Sequence, residues 1–158
     1  MTLMPLLLVL LLLLAGCAIP AQHGASDRDQ DAGRTYVVTG PSSGIGRGVA
    51  LRLASCGANL ALAARRTAVL DEVAQHVQAA GGQPLVVTTD TSDPGQMARL
   101  QGAALQRFGR IDVWINDHAV SAIGPFDAVP LRDHGRVVDV NLKGYVNGSY
   151  LALQQFRR

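Results

Sequence analysis

Strand and helix signals alternate along residues 34–158, and this alternation leaves few folds open to the chain. Short aliphatic or β-branched runs predict strands at Thr35–Thr39, Asn59–Ala63, Leu85–Thr88 and Ile111–Ile115. Apolar residues at helical spacing predict a helix after each strand, the last running from about Leu131 to the end. Such alternation implies a parallel sheet, and right-handed crossovers favour strand order 3-2-1-4. We therefore expect a Rossmann-like α/β fold in three layers (αβα), with the parallel sheet between two layers of helices. It would be truncated after the fourth strand and its following helix.

The residues before the first strand have a different character. Residues 1–19 are mostly apolar and contain Leu14-Ala15-Gly16-Cys17, which resembles the lipobox of bacterial lipoproteins. We expect a signal peptide that ends in lipidation of Cys17, or an uncleaved membrane anchor. The polar residues 20–33 are expected to form a flexible tether.

The position of the basic residues leaves the leader open to three interpretations. No Lys or Arg precedes the apolar run, and the first, Arg28, follows it. Positive charge tends to stay on the cytoplasmic side, so an anchor would leave the domain in the cytoplasm. An upstream start codon that adds a spurious leader is the third interpretation. The sequence therefore predicts a membrane-associated protein and leaves the side of the membrane open.

Overall composition excludes several functions. The chain is 48% hydrophobic and 16% charged, as in globular domains. A net charge of +2 is too small to indicate nucleic-acid binding. Two cysteines form no disulfide framework, and we expect no metal site.

A glycine-rich loop joins the first strand to its helix, with the sequence Thr39-Gly40-Pro41-Ser42-Ser43-Gly44-Ile45-Gly46. Gly40 allows a sharp turn, while Gly44 and Gly46 remove side chains where backbone must approach a pyrophosphate. The helix amino end then offers unpaired N–H groups to the phosphates. This placement predicts a Rossmann-like dinucleotide site.

The same loop resembles that of the short-chain dehydrogenase/reductase family, and further segments extend the resemblance over residues 34–158. The resemblance covers only the front half of the family's domain. It implies an NAD(P)-binding domain in which the loop holds the cofactor through Thr39, Gly40, Ser42, Ser43, Gly44, Ile45 and Gly46.

The end of the second strand indicates which dinucleotide is bound. NAD-binding relatives carry an acidic residue here for the ribose 2′-hydroxyl, whereas Ala64 leaves that position without a carboxylate. Arg65 and Arg66 follow, and an arginine suits a 2′-phosphate. The resemblance therefore favours NADP over NAD, although a pair of solvated surface arginines is the plainer alternative.

Two more segments correspond to segments of the family, one closely and the other at a single residue. Asp90 and Thr91 follow the third strand, where the family has an adenine-binding aspartate, although Asp90 could equally cap a helix. After the fourth strand the family reads Asn-Asn-Ala-Gly, whereas this chain reads Asn116-Asp117-His118-Ala119. Only Asn116 keeps its type and is assigned to the cofactor. Trp114, just before it, is expected near the cofactor.

The catalytic half of the family pattern is represented by one residue. Val140-Asn141-Leu142-Lys143-Gly144 resembles the segment with the catalytic asparagine, so Asn141 takes that role by resemblance. The family's Ser and Tyr-x-x-x-Lys belong to the next strand and helix, beyond Arg158. Lys143 is the sole lysine, and no Tyr precedes it by four residues. We therefore expect that this chain alone does not turn over, because it lacks the general acid.

Three functional hypotheses follow from these residues. The first is an NADP-dependent oxidoreductase acting on a small-molecule alcohol or carbonyl, represented by an incomplete gene. The second is a membrane-tethered, non-catalytic nucleotide-binding remnant that pairs with another subunit. The third is a product that does not fold. Neither the substrate nor the oligomeric state is indicated.

Overall fold

Four parallel strands form the sheet, and helices pack on both of its faces. The computed structural model describes residues 30–157. Along the chain these residues form β1 (Thr35–Thr39), α1 (Gly44–Ala54), β2 (Asn59–Ala64), α2 (Thr67–Ala79), β3 (Gln83–Thr88), α3 (Pro94–Phe108), β4 (Val113–Asn116), α4 (Leu131–Val138), a π-helical turn (Asp139–Lys143) and α5 (Gly144–Phe156).

The strand order is β3-β2-β1-β4, and every pairing is parallel. Val38 in the middle of β1 pairs with Leu62 of β2 on one side and Ile115 of β4 on the other. This register confirms the predicted order 3-2-1-4 and the Rossmann-like α/β architecture. It also brings the carboxyl ends of all four strands to one edge of the sheet.

Side chains that alternate along β1 divide the core between the two faces. Val38 is fully buried with Leu62 and Leu70 in the cluster under α1 and α2. Val37 is fully buried in the opposite cluster with Met97 and Leu100 of α3. A strand covered on both faces has no solvent side, which explains why β1 and β2 are buried along almost their whole length.

The fully buried face of helix α1 consists of small residues, and two of its leucines pack partly buried against the same core. Its buried positions are Gly46, Ala50 and Ala54, each four residues after the last. By contrast, Ile45 is 76% exposed. Residues at this spacing share one helix face, and small side chains there let the helix axis approach the strands.

The sequence Ser92-Asp93-Pro94 predicts the start of helix α3 and Gly109 predicts its end, and both signals act in the structure. Asp93 caps it by accepting hydrogen bonds from the backbone N–H of Gly95 (2.8 Å) and Gln96 (3.0 Å). Gly109 ends it in the left-handed conformation, with φ of 78°.

Residues just before β1 contact the domain. The Tyr36 hydroxyl donates a hydrogen bond to the Asp31 carboxylate, and the Gly33 N–H donates to the Gly57 carbonyl (3.0 Å). Burial, followed by the bonded carboxylate of Asp31, raises the pKa of Tyr36 to about 12. Contacts with the folded domain therefore extend three residues, to Asp31, into the segment predicted as a tether.

Within residues 30–157, no helix combines the length and apolar character needed to cross a bilayer. The predicted leader at 1–19, the lipidation site Cys17 and most of the predicted tether lie outside the described residues. Membrane attachment therefore stays a prediction.

Candidate functional site

A cleft of about 470 Å³ opens at the carboxyl ends of the four strands. Ligands of parallel α/β sheets bind at this edge, and the volume falls in the usual range for small-molecule sites. Nine of the residues that the sequence assigns to the cofactor line the cleft: Gly40, Ser42, Ser43, Gly44, Ile45, Arg65, Arg66, Asp90 and Thr91.

The first wall of the cleft is the glycine loop, which folds tightly against β4. Gly40 has φ of +83°, and a Cβ there would lie 2.8 Å from the backbone carbonyl atoms of Asp117. A Cβ on Gly46 would lie 2.8 Å from the carbonyl oxygen of Gly40. Glycine is therefore required at both positions by the protein's own packing, before any ligand is considered.

The amino end of α1 faces the cleft without a side-chain cap. Ser43 is its N-cap residue but makes no capping bond, and the first turn carries no acidic residue. Helix α3, in contrast, is capped by Asp93. The first N–H groups of an α-helix have no partner within the helix, so α1 retains free donors and a positive dipole end for an anion.

Two guanidinium groups stand at the end of β2. Arg66 donates a hydrogen bond to the hydroxyl of Ser42 (3.1 Å) and so links the end of β2 to the glycine loop. Arg65 is exposed, lines the cleft and has no hydrogen bond or ion pair among residues 30–157. The lining contains Ala64 but no acidic residue from β2.

Asp90 and Arg136 form an ion pair on the cleft wall. Oδ2 of Asp90 accepts from Nη2 of Arg136 at 2.8 Å, and Oδ1 accepts from the backbone and hydroxyl of Ser92. Burial disfavours the charged carboxylate, but these bonds outweigh it and lower the pKa of Asp90 to about 2. Sequence reasoning missed Arg136, because it lies 46 residues from its partner and no local pattern marks it.

The segment after β4 departs from the family pattern at His118 among other positions, and His118 is buried in the wall of the cleft. Its Nδ1 lies 2.7 Å from the Thr39 hydroxyl, which itself donates to the carbonyl of Ile115. Thr39 therefore accepts from Nδ1–H, and Nε2 carries the free lone pair. That Nε2 is buried and has no hydrogen-bond partner among the described residues.

Glycine in α5 makes room for this histidine. A Cβ on Gly144 would lie 2.5 Å from Nε2 of His118, and the ring contacts Tyr145 with centroids 4.8 Å apart. Burial lowers the pKa of His118, although the backbone of Val140 acts in the opposite direction. Nε2 has no hydrogen-bond partner among the described residues, so nothing holds a proton on it. Burial therefore favours the neutral ring of His118.

Four predicted site residues do not line the cleft: Thr39, Gly46, Asn116 and Asn141. The side chain of Asn116 points toward α5 and donates a hydrogen bond to the hydroxyl of Ser149 in that helix. Its amide oxygen accepts a hydrogen bond from Nε1 of Trp114 in β4 (3.1 Å). Trp114 is also absent from the cleft lining and packs on the opposite side of the sheet from α1, against the expectation.

Asn141 acts on the cleft indirectly. Its amide oxygen accepts from the Val120 N–H and its amide nitrogen donates to the Val120 carbonyl, both at 2.9 Å. Asn141 lies in the π-helical turn between α4 and α5, and Val120 lines the cleft. The side chain therefore fixes the backbone that follows β4.

Known proteins match both the sequence and the fold. The family model described as short chain dehydrogenase matches residues 34–158. An uncharacterized oxidoreductase of Listeria monocytogenes is 32% identical over 78% of this chain and 50% of its own length. The chain spans about half the length of the curated relatives it matches.

Two solved structures carry cofactors in their descriptions. A short chain dehydrogenase/reductase from Burkholderia phymatum in complex with NAD is 32% identical, with a TM-score of 0.75 over 78% of this chain and 44% of that one. An alcohol dehydrogenase from Thermococcus sibiricus complexed with 5-hydroxy-NADP is 27% identical, with a TM-score of 0.74 over 79% of this chain and 54% of that one. The chain therefore belongs to the short chain dehydrogenase family.

Proposed function

We propose that the cleft binds NADP(H) and that the chain is the nucleotide-binding part of an oxidoreductase acting on an alcohol or carbonyl. The observation that carries this proposal is the uncapped amino end of α1, which opens onto a cleft that Arg65 and Arg66 also line. Free backbone donors suit a diphosphate, and unopposed guanidinium groups suit a further phosphate.

The chain's own groups fit the parts of a dinucleotide in order. The backbone N–H groups from Gly44 onward would hold the diphosphate, at a loop whose packing requires glycine at Gly40 and Gly46. Arg65 would bind the 2′-phosphate, while Arg66 is partly engaged with Ser42. When bound, the nicotinamide supplies the hydride acceptor or donor.

Asp90 and Thr91 would form the adenine end. The carboxylate of Asp90 accepts three hydrogen bonds from Ser92 and Arg136, which leaves one of about four lone-pair positions for the exocyclic amine of adenine. Its lowered pKa keeps it an acceptor at neutral pH. The adenine role and the helix-cap alternative are thus separable, because Asp93 and not Asp90 caps α3.

We assign Asn141 a positioning role through Val120 rather than direct contact with substrate. No described residue is assigned the proton transfer of the reaction. Lys143 is paired with Asp139 at 2.6 Å, and the ring of Tyr145 lies against His118. We therefore propose that these residues alone do not catalyse the oxidoreductase reaction.

Titration of the full chain with NADPH and NADH tests the dinucleotide preference. Arg65→Ala should weaken NADPH binding by about 10- to 100-fold, as for a lost hydrogen bond to a charged group, and leave NADH binding unchanged. Arg99→Ala, an exposed residue of α3, removes the same charge elsewhere and should change neither affinity. Equal binding of the two dinucleotides by the unmodified chain would contradict the NADP preference.

A further inference from the structure

Asp117 lies against the glycine loop, where the family pattern has a neutral asparagine. Its backbone N–H donates to the carbonyl of Thr39 (3.1 Å), which fixes the residue beside the loop. A Cβ on Gly46 would lie 2.6 Å from Oδ2, so the carboxylate covers the first turn of α1. The side chain of Asp117 is half-buried and lines the cleft.

This carboxylate is not neutralised by its neighbours. Within residues 30–157 the Asp117 side chain takes part in no hydrogen bond or ion pair. Two of the three arginines that line the same cleft are already engaged, Arg136 with Asp90 and Arg66 with Ser42. The charge therefore faces the space beside the uncapped helix end.

Two parts of the cleft therefore carry opposite charge. Guanidinium groups lie at the end of β2, whereas an unpaired carboxylate lies where the loop would hold a diphosphate. Like charges a few ångströms apart in a partly desolvated site repel strongly enough to change binding by about tenfold. An asparagine of the same shape would add no such repulsion.

We propose that Asp117 weakens binding of the diphosphate, so that tight binding of a dinucleotide requires the 2′-phosphate as well. This inference rests on the proposed function. Asp117 acts equally on NADPH and NADH because both carry the diphosphate, and Arg65 then discriminates between them. A dinucleotide without the 2′-phosphate is held weakly, since the diphosphate alone contributes little.

Asp117→Asn tests the inference because a gain of affinity cannot arise from damage to the fold. The variant should bind NADPH and NADH each about tenfold more tightly, and adenosine 2′-monophosphate, which has no diphosphate, with unchanged affinity. The gain should shrink between 0.05 and 0.5 M salt, because added ions screen the repulsion. Asp71→Asn, an exposed residue of α2, removes the same charge and should alter none of the affinities.

The outcomes separate this inference from the proposed function. Binding of NADPH by the unmodified chain with no gain in Asp117→Asn, or an equal gain for adenosine 2′-monophosphate, overturns the role of Asp117 alone. Absence of binding by both proteins overturns both proposals. Asp117→Ser, which removes the charge with a smaller side chain, provides a second variant if Asp117→Asn does not fold.

Discussion

Nη2 of Arg136 lies 2.8 Å from Oδ2 of Asp90, and this ion pair joins α4 to the turn after β3. No residue of α4 is buried, so apolar packing does little to hold the helix. Nη1 of Arg136 also donates to the Ser92 hydroxyl (3.3 Å), and one further side-chain bond from α4 outward among the described residues links His134 to the carbonyl of Phe126. The position of α4 beside the cleft therefore depends on Arg136.

Arg136→Gln should loosen α4 and lower the free energy of unfolding by about 1 kcal/mol, the value for a partly exposed charged hydrogen bond. Amide hydrogen exchange across residues 131–138 should accelerate even without nucleotide. Arg132→Gln on the same helix is the control, because its side chain is 84% exposed and should leave exchange unchanged. Unaltered exchange in Arg136→Gln would contradict the role of the ion pair.

One glycine before α1 and one inside it predict opposite effects for the same substitution. Gly40→Ala, at the turn before α1, should destabilise the fold by about 2 kcal/mol or more, because φ is +83° and the added Cβ meets the backbone of Asp117. Gly48→Ala in the helix interior meets nothing within 4 Å and should stabilise by about 0.5–1 kcal/mol. Urea unfolding of both variants measures the difference. Equal effects would refute the close approach at Gly40.

His118 predicts a loss of stability in mild acid. Its pKa is lowered by burial from 6.5, so the unfolded chain binds more protons than the folded one below that pH. The free energy of unfolding is highest above pH 6.5 and should fall as the pH drops toward the lowered pKa. His118→Ala should flatten this dependence between pH 6.5 and 5, whereas the exposed His76→Ala should preserve it. The slopes of urea midpoints against pH distinguish the two.

Asn141→Asp tests how the loop after β4 is held. The amide donates to the Val120 carbonyl and accepts from its N–H, whereas a carboxylate can only accept. We expect a loss of about 1–3 kcal/mol at pH 7, with faster amide exchange at Val120. The loss should diminish near pH 4, where the aspartic acid regains a proton to donate. A loss that does not vary with pH would count against this pairing.

Local sequence signals predicted the parts of the fold that local chemistry determines. The caps Asp93 and Gly109 fix α3, and the β-branched run in β1 identifies the central strand. The glycine loop was predicted at the correct strand-to-helix junction because three glycines at that spacing serve one turn. Strand order followed from the handedness of crossovers, a rule that needs no contact information.

Relationships between distant residues could not be predicted in the same way. Asn116 and Trp114 turn toward α5 because they bond each other and Ser149, a contact no local pattern records. The burial of His118 depends on the missing side chain at Gly144, 26 residues later. The fully buried face of α1 was likewise not marked in the sequence, because its small residues leave no hydropathy signal.

We propose that the diphosphate of a dinucleotide binds at the uncapped amino end of α1. Amide chemical shifts of the full chain measured during titration with NADP⁺ test it most directly. We expect the largest changes at the N–H groups of Gly44, Ile45 and Gly46, with smaller changes at Arg65. Saturable binding that shifts other amides and leaves these three unmoved would contradict it.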